Sequence, residues 1–114
     1  MLAKINRFHG YNSLNYVYRR GKIVRGPYCS MRFVPNRNDN FRIAVVISKK
    51  VAKSAPDRNR IRRRVYEAIR NHAKENPINQ DIVVTIFNNR FLEATNLELN
   101  EAIKHQLSEI VQQA

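Results

Sequence analysis

Apolar positions along the chain follow two periods. Between residues 12 and 20, Leu14, Val17 and Tyr18 stand at i, i+3 and i+4, which predicts a short helix ended by Gly21. Asn12 or Ser13 can cap it. Residues 22–25 and 28–34 read as strands separated by Gly26 and Pro27. In the second, alternation puts Cys29, Met31 and Phe33 on one face, with Tyr28, Ser30, Arg32 and Val34 on the other. Residues 35–40 read as a turn or hairpin loop. Residues 41–48 hold a nearly continuous apolar run from Ile43 to Ile47, the pattern of a strand covered on both faces. A polar loop leads to Pro56. Ile61, Val65, Ala68, Ile69 and His72 then mark a helix over 57–73, with Asp57 as its cap. Asn76 and Pro77 break it, and residues 81–87 form a further buried strand. Leu99, Ile103, Leu107, Ile110 and Val111 give the core stripe of a last helix over 96–112, opened by Thr95 and Glu98 at capping-box spacing.

Strand, helix, strand with both strands apolar predicts a βαβ unit and a parallel pair. The whole is an α/β (α+β) fold: a two-layer sandwich of helices on a roughly four-stranded mixed sheet, in the order αβββαβα. Residues 1–114 read as a single domain, with no repeat and no dividing linker. No apolar run approaches the roughly 18 residues needed to cross a bilayer. The first residues lack the apolar core of a secretory signal, so a cytoplasmic location is expected.

Candidate chemistry narrows the picture. Cys29 is the only cysteine, so no internal disulfide partner exists and no thiolate zinc site can form from it alone. His9, His72 and His105 are too widely spaced for a metal-ligand pattern, and the glycines at 10, 21 and 26 make no phosphate-binding loop. No metal site and no catalytic side chain is expected.

Charge is the most informative quantity. The chain carries a net +12, which calls for a polyanionic partner. Residues 1–74 hold 19 Lys and Arg against Asp39, Asp57 and Glu67, a net of +16, while residues 75–114 are net −4. The densest cluster is Arg58, Arg60, Arg62, Arg63 and Arg64, followed by Arg70. Like charges at such spacings repel on a helix, and Glu67 is the only acid within the run. Phosphates would turn that repulsion into attraction and release counterions. Lys49, Lys50 and Lys53 stand in the loop before the helix, a common position for binding residues. Tyr11, Tyr16, Tyr18, Tyr28 and Phe8 make the first third aromatic, and exposed aromatics beside cations can stack on unpaired bases. Taken alone, these features describe a folded nucleic-acid-binding domain.

The segment FRIAVVISKKVAKSAPDRNRIRRRVYEAIR (41–70) resembles the signature region of the ribonuclease P protein family. There an apolar strand ends in a Ser-Lys-Lys-like triplet, a loop follows, and a helix opens Arg-Asn-Arg. Ser48-Lys49-Lys50 and Arg58-Asn59-Arg60-Ile61-Arg62-Arg63 match as they stand, and YVYRRGKIVRGPYCSMRFV (16–34) is similar to the family's first helix and following strands. The resemblance implies a left-handed crossover around the arginine helix, against the usual hand. It implies that Asn59 joins the basic residues in contacting a catalytic RNA. It further implies a cleft between the first helix and the sheet for the single-stranded 5′ leader of precursor tRNA, lined by Leu14, Tyr18, Cys29 and Met31. The family often has Phe at the positions of Leu14 and Tyr18 and an aromatic at that of Met31.

The function so implied is that of an accessory subunit of an endoribonuclease whose catalytic groups lie on the RNA, with Mg2+ bound mainly by that RNA. The implied partners are ribonuclease P RNA and precursor tRNA, with the protein a monomer in a one-to-one ribonucleoprotein and no membrane partner. A ribosomal RNA-binding protein would account for charge and fold equally, though not for the spacing from Ser-Lys-Lys to Arg-Asn-Arg. An autonomous nuclease would need clustered acids or histidines, which the basic region lacks.

Overall fold

The computed structural model describes residues 11–36 and 40–113. Phe8, His9 and Asp39 lie outside them, as do the side chains of Tyr11, Asn12 and Ser13, including both candidate caps. The elements run α1 (Tyr11–Arg20), β1 (Lys22–Arg25), β2 (Cys29–Pro35), β3 (Arg42–Ile47), α2 (Ala55–Glu75), β4 (Gln80–Ile86), α3 (Arg90–Glu93) and α4 (Asn96–Gln113). The sheet order is β1-β2-β4-β3. The pairs β1–β2 and β2–β4 are antiparallel, whereas β3 and β4 are parallel and joined through α2. The sheet is therefore mixed and four-stranded, as expected.

Strand position differs from the expectation for residues 41–48. The chain returns from α2 to place β4 between β2 and β3, so β4 is central and buried nearly throughout. The apolar run of β3 occupies an edge, and its Val46 is 38% exposed. Continuous apolarity marks both parallel strands but does not say which one has two neighbours.

Two apolar layers flank the sheet. The larger packs Cys29, Met31, Phe33, Ile43, Ile82, Val84 and Ile86 against Ile61, Val65 and Ile69 of α2 and Leu99, Ile103, Leu107 and Ile110 of α4. The smaller joins Val17 and Leu14 of α1 to Val34, Val83 and Ala44 on the opposite face. Gly21 ends α1 by donating its N–H to the Val17 carbonyl at 2.7 Å. Any Cβ there would collide with that oxygen. At the far end of the sheet, the Asp81 carboxylate accepts from Arg42 Nε and Asn36 Nδ2, each at 2.8 Å.

Helix α2 starts two residues earlier than its apolar pattern indicates. Ser54 is the N-cap, accepting the Asp57 N–H at 3.2 Å, and Pro56 sits in the first turn, where its missing N–H costs nothing. Asp57 therefore stands inside that turn, where its charge suits the helix dipole. In α4 the capping box forms as expected, with Thr95 and Glu98 exchanging hydrogen bonds at 3.1 Å. Val111, assigned to the core stripe, is 52% exposed, because it lies beyond the arc swept by Leu99, Ile103, Leu107 and Ile110. Gln106 is buried in its place. Its Nε2 donates to the carbonyls of Val24 at 3.3 Å and Cys29 at 3.1 Å, and its Oε1 lies 3.4 Å from the Cys29 thiol. The short α3 is too brief to show a period. It buries Phe91, which meets the Tyr28 ring edge-on at 6.0 Å.

Candidate nucleic-acid interface

The basic residues of the 49–70 region separate into two groups. Arg64 folds back over the α3 region. Its Nη1 donates to the Phe91 carbonyl at 2.7 Å, and its Nη2 donates to the Ala94 carbonyl and to Asn96 Oδ1. Desolvation first, and the neighbouring Arg60 second, lower its pKa. The guanidinium is thus engaged in holding the segment before α4 against α2. Arg58 donates to the carbonyls of Ala52 at 3.1 Å and Lys53 at 2.9 Å, which fixes the loop into the Ser54 cap. Arg70 pairs with Glu67 at 2.8 Å, and Arg62 reaches Asn59 Oδ1 at 3.4 Å.

The second group is available. Lys49, Lys50, Lys53, Arg60 and Arg63 are exposed, and none has a side-chain hydrogen-bond or ion-pair partner among the described residues. They stand on the turn after β3, the loop beyond it and the first turns of α2. Unneutralised cations cost a folded chain self-repulsion, and a phosphate backbone offsets that cost.

The residues expected in the leader cleft do not lie together. Leu14 and Tyr18 belong to α1, over the face carrying Val34, Val83 and Ala44. Cys29 and Met31 are 0% exposed in the other layer, under α2 and α4. The pleat of β2 imposes this, since a residue two positions from Phe33 must share its face. Burial pushes the Cys29 thiol up to about 12, with Gln106 opposing, so the sulfur is also chemically quiet. Ser30 and Arg32 stand on the α1 face, paired in register with Thr85 and Val83. The Arg32 guanidinium lies 5.7 Å from the Tyr18 ring centre.

Beyond α1, toward the ends of β3 and β4, the sheet is uncovered. A cavity of about 500 Å3 is lined there by Val46, Thr85, Phe87, Ser48, Lys50 and Asn88, among others. Phe87 is 51% exposed. The sequence pattern missed this strip because residues 81–87 read as wholly buried. The signal was the alternation, which puts Thr85 and Phe87 on one side of Ile86. Among the described residues, no three His, Cys, Asp or Glu side chains gather as metal ligands would.

Comparison with known proteins agrees with the geometry. The ribonuclease P family model matches residues 2–111. The ribonuclease P protein component of Blochmanniella floridana is 32% identical over 103 residues, covering 90% of this chain and 80% of that one. The protein of the same name from Staphylococcus haemolyticus is 31% identical over 106 residues, covering 93% and 90%. The solved RNase P protein of Staphylococcus aureus superposes with a TM-score of 0.79 at 24% identity, over 92% of this chain and 94% of that chain. That of Thermotoga maritima gives 0.75, also at 24%, over 85% and 90%. These two establish the shared fold. From the family model and the relatives together, the chain belongs to the ribonuclease P protein family.

Proposed function

We propose that this chain is the protein subunit that assists a ribonuclease P RNA in removing the 5′ leader from precursor tRNA. The observation that carries the reading is the set of five cations from Lys49 to Arg63 that have no side-chain partner among the described residues, in a member of this family. Two RNAs brought together repel strongly at low ionic strength. A subunit inserting Lys49, Lys50, Lys53, Arg60 and Arg63 between them lowers that repulsion, with Asn59 a polar contact in the same turn. The role is electrostatic screening and positioning; the chemical step belongs to the RNA.

For the leader, the α1 face supports a revised path. Leu14 and Tyr18 open it, Arg32 and Ser30 continue it, and Thr85, Val46 and Phe87 carry it to Lys50. The exposed rings of Tyr18 and Phe87 offer stacking surfaces to unpaired bases, and the cations run beside the backbone. Magnesium, in this reading, is bound mainly by the RNA, where it would supply the activated water for hydrolysis. A cytoplasmic, one-to-one complex with the RNA, built on a single domain over 1–114, completes the reading. No described helix is long and apolar enough to cross a membrane.

Affinity for precursor tRNA, measured against mature tRNA in the presence of ribonuclease P RNA, tests the leader path. Tyr18→Ala and Phe87→Ala should each weaken precursor binding by about fivefold or more, from the 1–3 kcal/mol of a base–aromatic stack. Mature tRNA should be unaffected. Equal losses for both substrates would remove the path.

A further inference from the structure

Helices α2 and α4 meet over the core through Ile61, Val65 and Ile69 on one side and Leu99, Ile103 and Leu107 on the other. Outside that contact they leave a groove of about 390 Å3, within the size range of small-ligand sites. Its polar lining is Arg60, Arg63, Glu67, Asn71, Asn96 and Asn100, together with Arg64, whose guanidinium is already taken by the Phe91 and Ala94 carbonyls and Asn96 Oδ1. A second hollow of about 230 Å3, which shares Asn71 and Asn100, extends it toward His72 and Lys104. The groove lies on the helical side of the molecule, across the sheet from α1 and the proposed leader path.

The lining is unusual in what it leaves unspent. Among the described residues, Arg60 and Arg63 have no partner, and neither do the carboxamides of Asn71 and Asn100. Asn96 Oδ1 accepts from Arg64 Nη2 at 3.1 Å, which leaves its NH2 group to donate. Glu67 is held at one oxygen by Arg70 at 2.8 Å. A carboxamide presents donor and acceptor side by side, matching the N6 and N7 positions of adenine. A carboxylate can accept from the same exocyclic amine. Guanidinium groups match phosphate. A bare inorganic anion would use the two arginines, leave three amides idle and meet the charge of Glu67. A nucleotide uses both ends.

We propose that the α2/α4 groove holds one unpaired adenine nucleotide of an RNA, its phosphate against Arg60 and Arg63 and its base edge against Asn71, Asn96 and Asn100. Unpaired bases in RNA loops and bulges are the ones proteins can read in this way. The proposal rests on the reading of the chain as an RNA-binding subunit, and adds to it a site that recognises a base.

Two measurements test it. In the first, the full chain is titrated with adenosine 5′-monophosphate, cytidine 5′-monophosphate and inorganic phosphate, and the side-chain NH2 signals of the three asparagines are followed by NMR. Adenosine monophosphate should shift them saturably, cytidine monophosphate should bind more weakly, and phosphate should leave them still. Asparagine signals that ignore adenosine monophosphate, or respond alike to all three probes, overturn the proposal. In the second, the double variant Asn71→Ala, Asn100→Ala is compared with wild type for affinity to ribonuclease P RNA, after circular dichroism has confirmed its fold. A loss of about tenfold is expected. A wild type that binds the RNA while the variant binds equally well overturns the groove alone. A wild type that does not bind the RNA overturns the functional reading beneath it.

Discussion

Arg63 and Arg64 are adjacent in sequence and should behave as opposites when each is changed to alanine. Arg64 donates to the Phe91 and Ala94 carbonyls and to Asn96 Oδ1, so its removal leaves carbonyls of the α3 segment unpaired. Hydrogen bonds from a charged donor are each worth about 1.5–3 kcal/mol when well buried. This guanidinium is only half-buried and water can replace part of what is lost, so a total near 2 kcal/mol is expected. For a chain of this length that lowers Tm by about 8 °C. Arg63 is exposed and has no side-chain partner among the described residues, so its removal should change stability by less than about 0.5 kcal/mol. Binding to ribonuclease P RNA should show the reverse. Arg63→Ala should flatten the slope of log affinity against log salt by about 0.7–0.9, the value of one phosphate contact. Arg64→Ala, measured well below its Tm, should leave the slope unchanged. Thermal unfolding by circular dichroism and a salt series of filter-binding curves give both quantities. An unchanged Tm with a flattened slope for Arg64→Ala would refute the division of the arginines into a structural and a binding group.

Gln106→Leu should destabilise the chain by about 2 kcal/mol, read from the urea midpoint, because the Val24 and Cys29 carbonyls lose their donor inside the core; an unchanged midpoint would mean those carbonyls need no partner. Gly26→Ala should also destabilise, since its Cβ would lie 2.5 Å from the Gln106 carboxamide, and Gly26→Ala with Gln106→Ala should lose less than the two single effects combined. Strict additivity would deny the contact. The Cys29 thiol titrates near 12 when folded and near 9 when unfolded, so its contribution is whole below pH 9 and is lost as pH rises toward 12. Between pH 9 and 11 wild type should lose about 1 kcal/mol per pH unit more than Cys29→Ala, and parallel urea curves would contradict this.

Much of this fold was legible because burial writes its period into the chain. Ile61, Val65, Ala68 and Ile69 could belong only to a helix covering a core, and the capping box at Thr95 and Glu98 formed as its spacing required. Pattern does not rank strands. The runs of β3 and β4 look alike, and only the return of the chain through α2 makes β4 central. Nor does composition tell a binding cation from a structural one. Arg64 stands three residues after buried Ile61 and one before buried Val65, at the border of the packed stripe, so its side chain finds carbonyls before it finds solvent. Arg60 and Arg63 are exposed and reach no such carbonyl among the described residues. Cys29 and Met31 stand apart from Leu14 and Tyr18 for a different reason. The alternation of β2 already grouped Cys29 and Met31 with Phe33, away from Val34 and α1. Family resemblance places residues by their order along the chain, and only the alternation says which face each one takes.

The most direct test is cleavage of precursor tRNA at near-physiological salt and low Mg2+, with the chain alone, a ribonuclease P RNA alone and the two combined. The RNA alone should cleave slowly, the combination should release the 5′ leader much faster, and the chain alone should release nothing. Leader release by the chain without RNA, or a combined rate no greater than that of the RNA alone, would contradict the role of an electrostatic and leader-binding subunit.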